Sequence, residues 1–179
     1  MSTTLRLVSE MERIANALGT ERGEASQVSL SSVAEKIAKN LGVRNEEVAI
    51  LAVSKRWRHL HFLVPEALKK VGFIPLSSNS ALAARTARDS RPEIENNFAA
   101  AKHVTVFEGV KTTGEAAEPI QKMISAPILR DGTVIGVIQI TRKGATAAGS
   151  GPDFTADDLG KILALCKPLG KLLHHIAGE

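Results

Sequence analysis

Met123-Ile-Ser-Ala-Pro-Ile-Leu129, Arg130-Asp-Gly132 and Thr133-Val-Ile-Gly-Val-Ile-Gln-Ile140 are two β-rich runs joined at Asp-Gly. A two-residue turn between antiparallel strands needs positive φ, which Asp and above all Gly adopt at low cost, so this stretch predicts a β-hairpin. The sheet it belongs to is visible upstream. Val48-Ala-Ile-Leu-Ala-Val53 has the length and apolar continuity of a buried strand, and Trp57-Arg-His-Leu-His-Phe-Leu-Val64 alternates like its antiparallel neighbour. Phe73-Ile-Pro-Leu76 reads as extended, and Val104-Thr-Val-Phe107 is the best strand in the weakly patterned segment from Glu93 to Ile120.

Helices flank these strands. Leu7, Met11, Ile14 and Leu18 recur at three- and four-residue spacing, which predicts an amphipathic helix ending near Gly19, followed by a polar loop from Thr20 to Gln27. A second helix, Leu30 to Asn40, carries Val33, Ile37 and Leu41 on one stripe and stops at Gly42. Helical pattern returns between Pro65 and Gly72, and Ser77-Ser-Asn-Ser80 is positioned to cap Ala81 to Asp89. The long final helix opens at Asp153-Phe-Thr-Ala-Asp-Asp158, with Thr155 or Asp153 as its cap. Its Leu159, Ile162, Cys166, Leu169, Leu173 and Ile176 alternate steps of three and four, the repeat of a helix packing along a seam, and Pro168 is expected to kink it. The order predicts an α+β domain in which an antiparallel sheet carries helices.

The 179 residues, 44% of them hydrophobic, suffice for one compact domain with an N-terminal helical arm. Lys+Arg 23 against Asp+Glu 19 leaves +4, too small an excess to announce a nucleic-acid or membrane partner. Five Phe, one Trp and no Tyr leave little material for a base-stacking platform. The single Cys166 excludes an intramolecular disulfide framework and a four-thiolate zinc site. No apolar leader or spanning segment is visible, so a cytoplasmic location is expected.

At this point the residues resemble the GAF domains, small-molecule-sensing modules of phosphodiesterases, phytochromes and many bacterial regulators. Phe73-Ile-Pro-Leu-Ser-Ser-Asn-Ser80 with its alanine-rich helix and Arg91-Pro92, the hairpin Ala126 to Ile140, and Phe154-Thr-Ala-Asp-Asp-Leu159 carry the resemblance. It implies a central antiparallel sheet of about six strands, terminal helices on one face and pocket-covering helices and loops on the other. Residues 1–27 are then an arm and linker, and 28–179 the domain. Cyclic-nucleotide-binding members often carry an Asn-Lys and an Asp-Glu pair around the closing hairpin, where this chain has Thr141-Arg-Lys143 and Asp158-Leu159. Members that reduce free methionine sulfoxide need cysteines in the pocket loops, and bilin binders usually attach their pigment through one. Cys166 instead lies on the seam of the last helix.

The resemblance places Arg85 and Arg88 on the pocket-covering helix, where a guanidinium can pair a carboxylate or phosphate; the amides of Ser80 to Leu82 offer a second anion site. Ser125, Gln139 and His103 complete the candidate ligand-binding residues. Polar Ser125 and Gln139 interrupt apolar strands, although solvent-facing positions in an alternating strand give the same letters. Trp57, His59 and His61 share one face of the predicted strand, and His59 and His61 are weak metal candidates lacking a third ligand at recognisable spacing. Leu7, Met11, Ile14, Leu18, Leu169, Leu173 and Ile176 are candidate dimer-interface residues. Ile37 to Val48 resembles the turn of a helix-turn-helix, but an apolar strand-like run follows it where a recognition helix should stand.

Together these features predict a non-enzymatic sensor that binds a small molecule as a homodimer and signals through a separate output protein. The alternative is a ligand-free protein–protein interaction or dimerisation module, with a DNA-associated regulator or a redox enzyme behind it. No cofactor is named by the sequence.

Overall fold

Asp131 and Gly132 take φ of 51° and 79°, the doubly positive geometry that closes a tight hairpin with the natural strand twist. A computed structural model of the chain describes residues 5–9, 12–13, 24–70, 72–98 and 119–177. Its strands are β1 (Val48–Ser54), β2 (His59–Val64), β3 (Phe73–Pro75), β4 (Glu93–Glu95), β5 (Ile120–Arg130) and β6 (Thr133–Lys143). The helices are α1 (Glu24–Leu41), α2 (Leu82–Asp89) and α3 (Ala156–Ala177). The strands form a six-stranded sheet in the order β3-β2-β1-β6-β5-β4, and every neighbouring pair is antiparallel.

Each face of the sheet buries its own apolar layer, because alternate strand residues point to opposite sides. Val48, Ile50, Ala52, Ile124, Ala126, Ile128, Ile138 and Ile140 pack beneath the terminal helices α1 and α3. Ala49, Leu51, Leu60, Phe62, Met123 and Val137 pack against α2 and Phe98 on the other side. The α+β order expected from the sequence is the observed one.

Close approach of the layers depends on two glycines. A Cβ on Gly136 would lie 2.6 Å from the Leu51 carbonyl oxygen and 2.7 Å from Leu173 Cδ1. One on Gly170 of α3 would collide with the Leu129 carbonyl oxygen. Buried polar groups then tie the ends of the elements together. The Glu47 carboxylate, 4% exposed, accepts from the Lys143 and Arg44 backbone N–H groups at 2.6 and 2.8 Å. Lys122 Nζ donates to the Gly151 carbonyl at 2.6 Å and pairs with Asp153 at 2.9 Å. The Lys122 contacts fasten the segment entering α3 to the start of β5.

Several expected boundaries move. Residues 24–27, read as loop, are the first turn of α1, a boundary that helix propensity leaves undecided for such polar positions. Trp57, placed on a strand by alternation, lies in the turn at residues 55–58. There its N–H donates to Ser54 Oγ at 3.3 Å and Arg58 takes a left-handed φ of 53°, so only His59 onward is strand. The segment after Pro65 is a 3-10 helix, Glu66–Lys70. The helix-turn-helix-like letters run from α1 through Gly42 and a 3-10 turn into β1. Val104 to Phe107 and His103 lie outside the described residues.

Candidate functional site

On the sheet face beneath α2, two strands supply polar side chains among aliphatic ones. Ser125 of β5 and Gln139 of β6 are directly paired across the hairpin, which places both on one face. Thr86 descends on them from α2, whose Ala83 and Ala84 are buried and small enough to seat the helix closely on the sheet. Thr86, Ser125 and Gln139 are all nearly or completely buried.

Their hydrogen bonds form a chain with a direction. Thr86 Oγ1 lies 2.9 Å from the Leu82 carbonyl, an acceptor only, so its single proton goes there. Ser125 Oγ, 2.7 Å from Thr86 Oγ1, must then be the donor of that contact. Its lone pair accepts from Gln139 Nε2 at 3.1 Å. Among the described residues the Gln139 carbonyl oxygen has no such partner. The arrangement is a neutral polar relay in an aliphatic layer, ending on an amide that still has an acceptor to offer.

The two arginines nominated from the sequence lie at the rim and are engaged within the chain. Arg85 forms a two-point pair with Glu93 of β4, at 3.1 and 2.8 Å. That hydrogen-bonded carboxylate raises its already high pKa. Arg88 Nη1 donates to the Leu76 and Ser78 carbonyls at 2.5 and 2.6 Å, so it holds the loop preceding α2. Ser80 is exposed. The N-cap of α2 is Ala81, without a side-chain cap bond, and the serine contacting it is Ser78, whose Oγ accepts the Ala81 N–H at 3.2 Å. The site therefore joins Ser125 and Gln139, as the sequence suggested, with Thr86, which it did not. A threonine inside an amphipathic helix carries no signal until the helix is placed on its sheet.

The other nominated residues lie elsewhere. His59 and His61 point to the sheet face opposite α2, with His59 stacked on Phe73 at 4.3 Å. No group of three or more metal-ligating side chains occurs among the described residues. Leu7, Leu169 and Leu173, expected at a dimer seam, are buried in the protomer's own core; α3 lays Leu169 and Leu173 on β5 and β6. Met11, Ile14 and Leu18 lie outside the described residues, and Ile176 is placed only as part of α3. Cys166 is buried in the same layer, and desolvation pushes its thiol from 9.0 up to about 12. A separate groove of about 400 Å³, lined by Ser31, Glu35, Glu46, Val48 and Glu66 among others, opens on the terminal-helix side, away from the polar relay.

No family model and no curated protein sequence matches the chain. Solved structures do. The GAF domain of an Acinetobacter phosphoenolpyruvate-protein phosphotransferase superposes with a TM-score of 0.68 at 15% identity, covering 98% of this chain and 95% of that one. The nlh2 GAF domain of A. aeolicus, in an inactive state, gives 0.60 at 19% identity, covering 95% and 94%. A free methionine-R-sulfoxide reductase from Neisseria meningitidis, in complex with its substrate, gives 0.64 at 16%, covering 98% and 90%. The fold is thus that of a GAF domain. Identities this low establish the architecture alone, which these GAF domains and an enzyme share. Among the described residues, no helix is long and apolar enough to cross a membrane.

Proposed function

We propose that this GAF-like domain is a sensory module that binds a small, neutral or weakly polar molecule against the face beneath α2. The observation that carries this is the relay Gln139–Ser125–Thr86, which places a directional set of hydrogen-bonding groups in an otherwise aliphatic layer. Pockets for small ligands are built this way, with a few oriented polar groups among apolar walls. The Gln139 amide is the contact for the ligand, and Thr86 transmits the change to α2. Arg85 and Arg88 shape the rim and hold the adjoining segments. A ligand that prefers α2 closed shifts the domain towards that state only by its differential affinity for the two.

The chain acts as a binding module, not as a reductase. Its one cysteine is protonated and packed on the far side of the sheet from the relay, whereas thiol chemistry needs an accessible thiolate. A homodimer belongs to the same proposal. With Leu7, Leu169 and Leu173 used internally, its contact falls to outward positions such as Leu5 and Leu163, which are 56% and 42% exposed. Signalling passes to a separate output protein.

Native mass spectrometry of protein purified from its own host, with and without denaturation, tests the proposal. The expected result is a dissociable extra mass, lost in Gln139→Leu, and a thermal shift on adding that compound back. A wild-type protein with no extra mass and no shift across a metabolite panel overturns it, as does equal binding by the variant.

A further inference from the structure

Charge is unevenly distributed along this chain. Residues 48–88 hold seven Lys or Arg and one acidic residue, Glu66. That segment is therefore +6, and the remainder of the +4 chain is −2. Five of its cations, Lys55, Arg56, Arg58, Lys69 and Lys70, are exposed. Among the described residues they form none of the ion pairs that occupy cations elsewhere.

These cations flank β2, the strand next to the edge strand β3. Lys55, Arg56 and Arg58 stand on the turn between β1 and β2, and Lys69 and Lys70 follow the far end of β2, whose six residues span about 20 Å. Exposed rings stand among these cations. Trp57 and Phe73 are each 64% exposed. Phe73 is stacked on His59 at 4.3 Å with only 14° between the planes, and His61 meets His59 edge-on at 6.0 Å. Arg56 covers one side of the Trp57 ring at 5.0 Å. Phe73 pairs with His61 and Pro75 with His59 across β2 and β3, so Phe73, His59 and His61 share one sheet face.

We infer that this edge is a binding surface for single-stranded nucleic acid, with Trp57 and Phe73 stacking on bases and the lysines and arginines tracking phosphates. Aromatic platforms interleaved with cations bind single strands in this way, over footprints as short as about four nucleotides. The nature of the exposed apolar groups decides against a lipid surface. Among the described residues the exposed large aliphatic side chains, Leu5, Leu129 and Leu163, lie on other elements, and the exposed large apolar groups beside these cations, Trp57 and Phe73, are rings already stacked on or covered by π or cationic neighbours. Such rings suit a planar base better than an acyl chain. The low aromatic count of the whole chain argues against a platform only if the rings are dispersed, and here Phe73 is gathered with two imidazoles while Trp57 stands in the turn that leads into the same strand.

Anisotropy of a fluorescein-labelled single-stranded RNA of about a dozen nucleotides, with a DNA version alongside, tests this on the intact chain. Emission of Trp57, the sole tryptophan, supplies a second readout. Expected are saturable binding, quenching of Trp57, and a log–log salt slope of about −2 to −3.5, as three to five neutralised phosphates give. Phe73→Ala and Trp57→Ala should each weaken binding about tenfold, and Lys55→Glu with Arg58→Glu should abolish it. The substituted side chains are exposed, and circular dichroism melts verify that each variant stays folded. No binding at about 100 μM protein in low salt overturns the inference. So does affinity unchanged in Phe73→Ala and Trp57→Ala, which would leave a nonspecific polyanion contact. Pelleting with phosphatidylserine vesicles without oligonucleotide binding overturns it in favour of a membrane.

Discussion

Ser125→Ala is the most informative single change at the relay. It removes the one atom that bonds to both neighbours, Thr86 Oγ1 at 2.7 Å and Gln139 Nε2 at 3.1 Å. The two neighbours do not suffer equally. Thr86 still donates to the Leu82 carbonyl at 2.9 Å, so its hydroxyl proton stays satisfied. The Gln139 amide, only 4% exposed, loses an acceptor within a layer of Leu, Met and Val side chains. An unpaired buried donor costs about 1–3 kcal/mol, and the deletion of one small oxygen leaves little cavity. Urea unfolding of Ser125→Ala should therefore show a loss of about 1–3 kcal/mol, or about 2–10 °C in Tm for a domain of this size. Gln139→Leu in the same background removes the stranded donor as well, and should restore much of that loss. The double-mutant cycle is thus expected to give a coupling of at least about 1 kcal/mol between residues in contact. Additive single effects, or a Ser125→Ala loss below about 0.5 kcal/mol, would show that the relay is not a coupled unit and that its direction is wrongly assigned.

Three further outcomes follow from the packing and the caps. Gly136→Val should destabilise the domain by more than about 3 kcal/mol, above the usual cost of overpacking, because backbone on one side and Leu173 on the other leave its side chain no exit; soluble yield and melting temperature check it. Thr155→Ala should lose about 1 kcal/mol, since Thr155 Oγ1 accepts from the Asp158 N–H at 3.2 Å while Asp158 returns the bond to the Thr155 N–H at 2.9 Å. Cys166 should resist thiol reagents at pH 8 in the native state and react promptly in urea. Its folded pKa of about 12 lies above the ordinary 9.0, so the neutral thiol's contribution is complete below about pH 9 and is lost as pH rises towards 12. A fast native reaction at pH 8 would contradict the burial of this side chain.

Local signals in the sequence were sufficient wherever an element's identity is decided by its own residues. Asp131-Gly132 supplied both positive φ values of the turn, and of the two cap candidates Thr155 and Asp153 it is Thr155 that exchanges hydrogen bonds with Asp158. Where a neighbour decides, the letters carried less. Trp57 alternates correctly with His59 and His61, yet it lies in a turn because Ser54 Oγ captures its N–H and Arg58 adopts a left-handed backbone. The stripe Leu169 and Leu173 repeats as a dimer seam would, but a helix laid on its own sheet needs the same repeat.

The same distinction separates the parts of the candidate site. Ser125 and Gln139 could be singled out because a polar residue in an apolar strand violates its surroundings, and the hairpin register set by two turn residues then places them side by side. Thr86 violates nothing in its own helix. It becomes the third member only because α2 descends on β5 and brings together residues 39 positions apart. Arg85 and Arg88 fail in the opposite direction. Each has the chemistry of an anion site in isolation, but Glu93 and two backbone carbonyls, contributed by the segments on either side of α2, reach them first. Polar groups in a fold are assigned by competition among partners, and one sequence lists the competitors without their distances. On the proposed function, the group that this competition leaves with an acceptor to give is the Gln139 amide, while the two guanidinium groups whose charge is most visible in the sequence already serve Glu93 and backbone carbonyls.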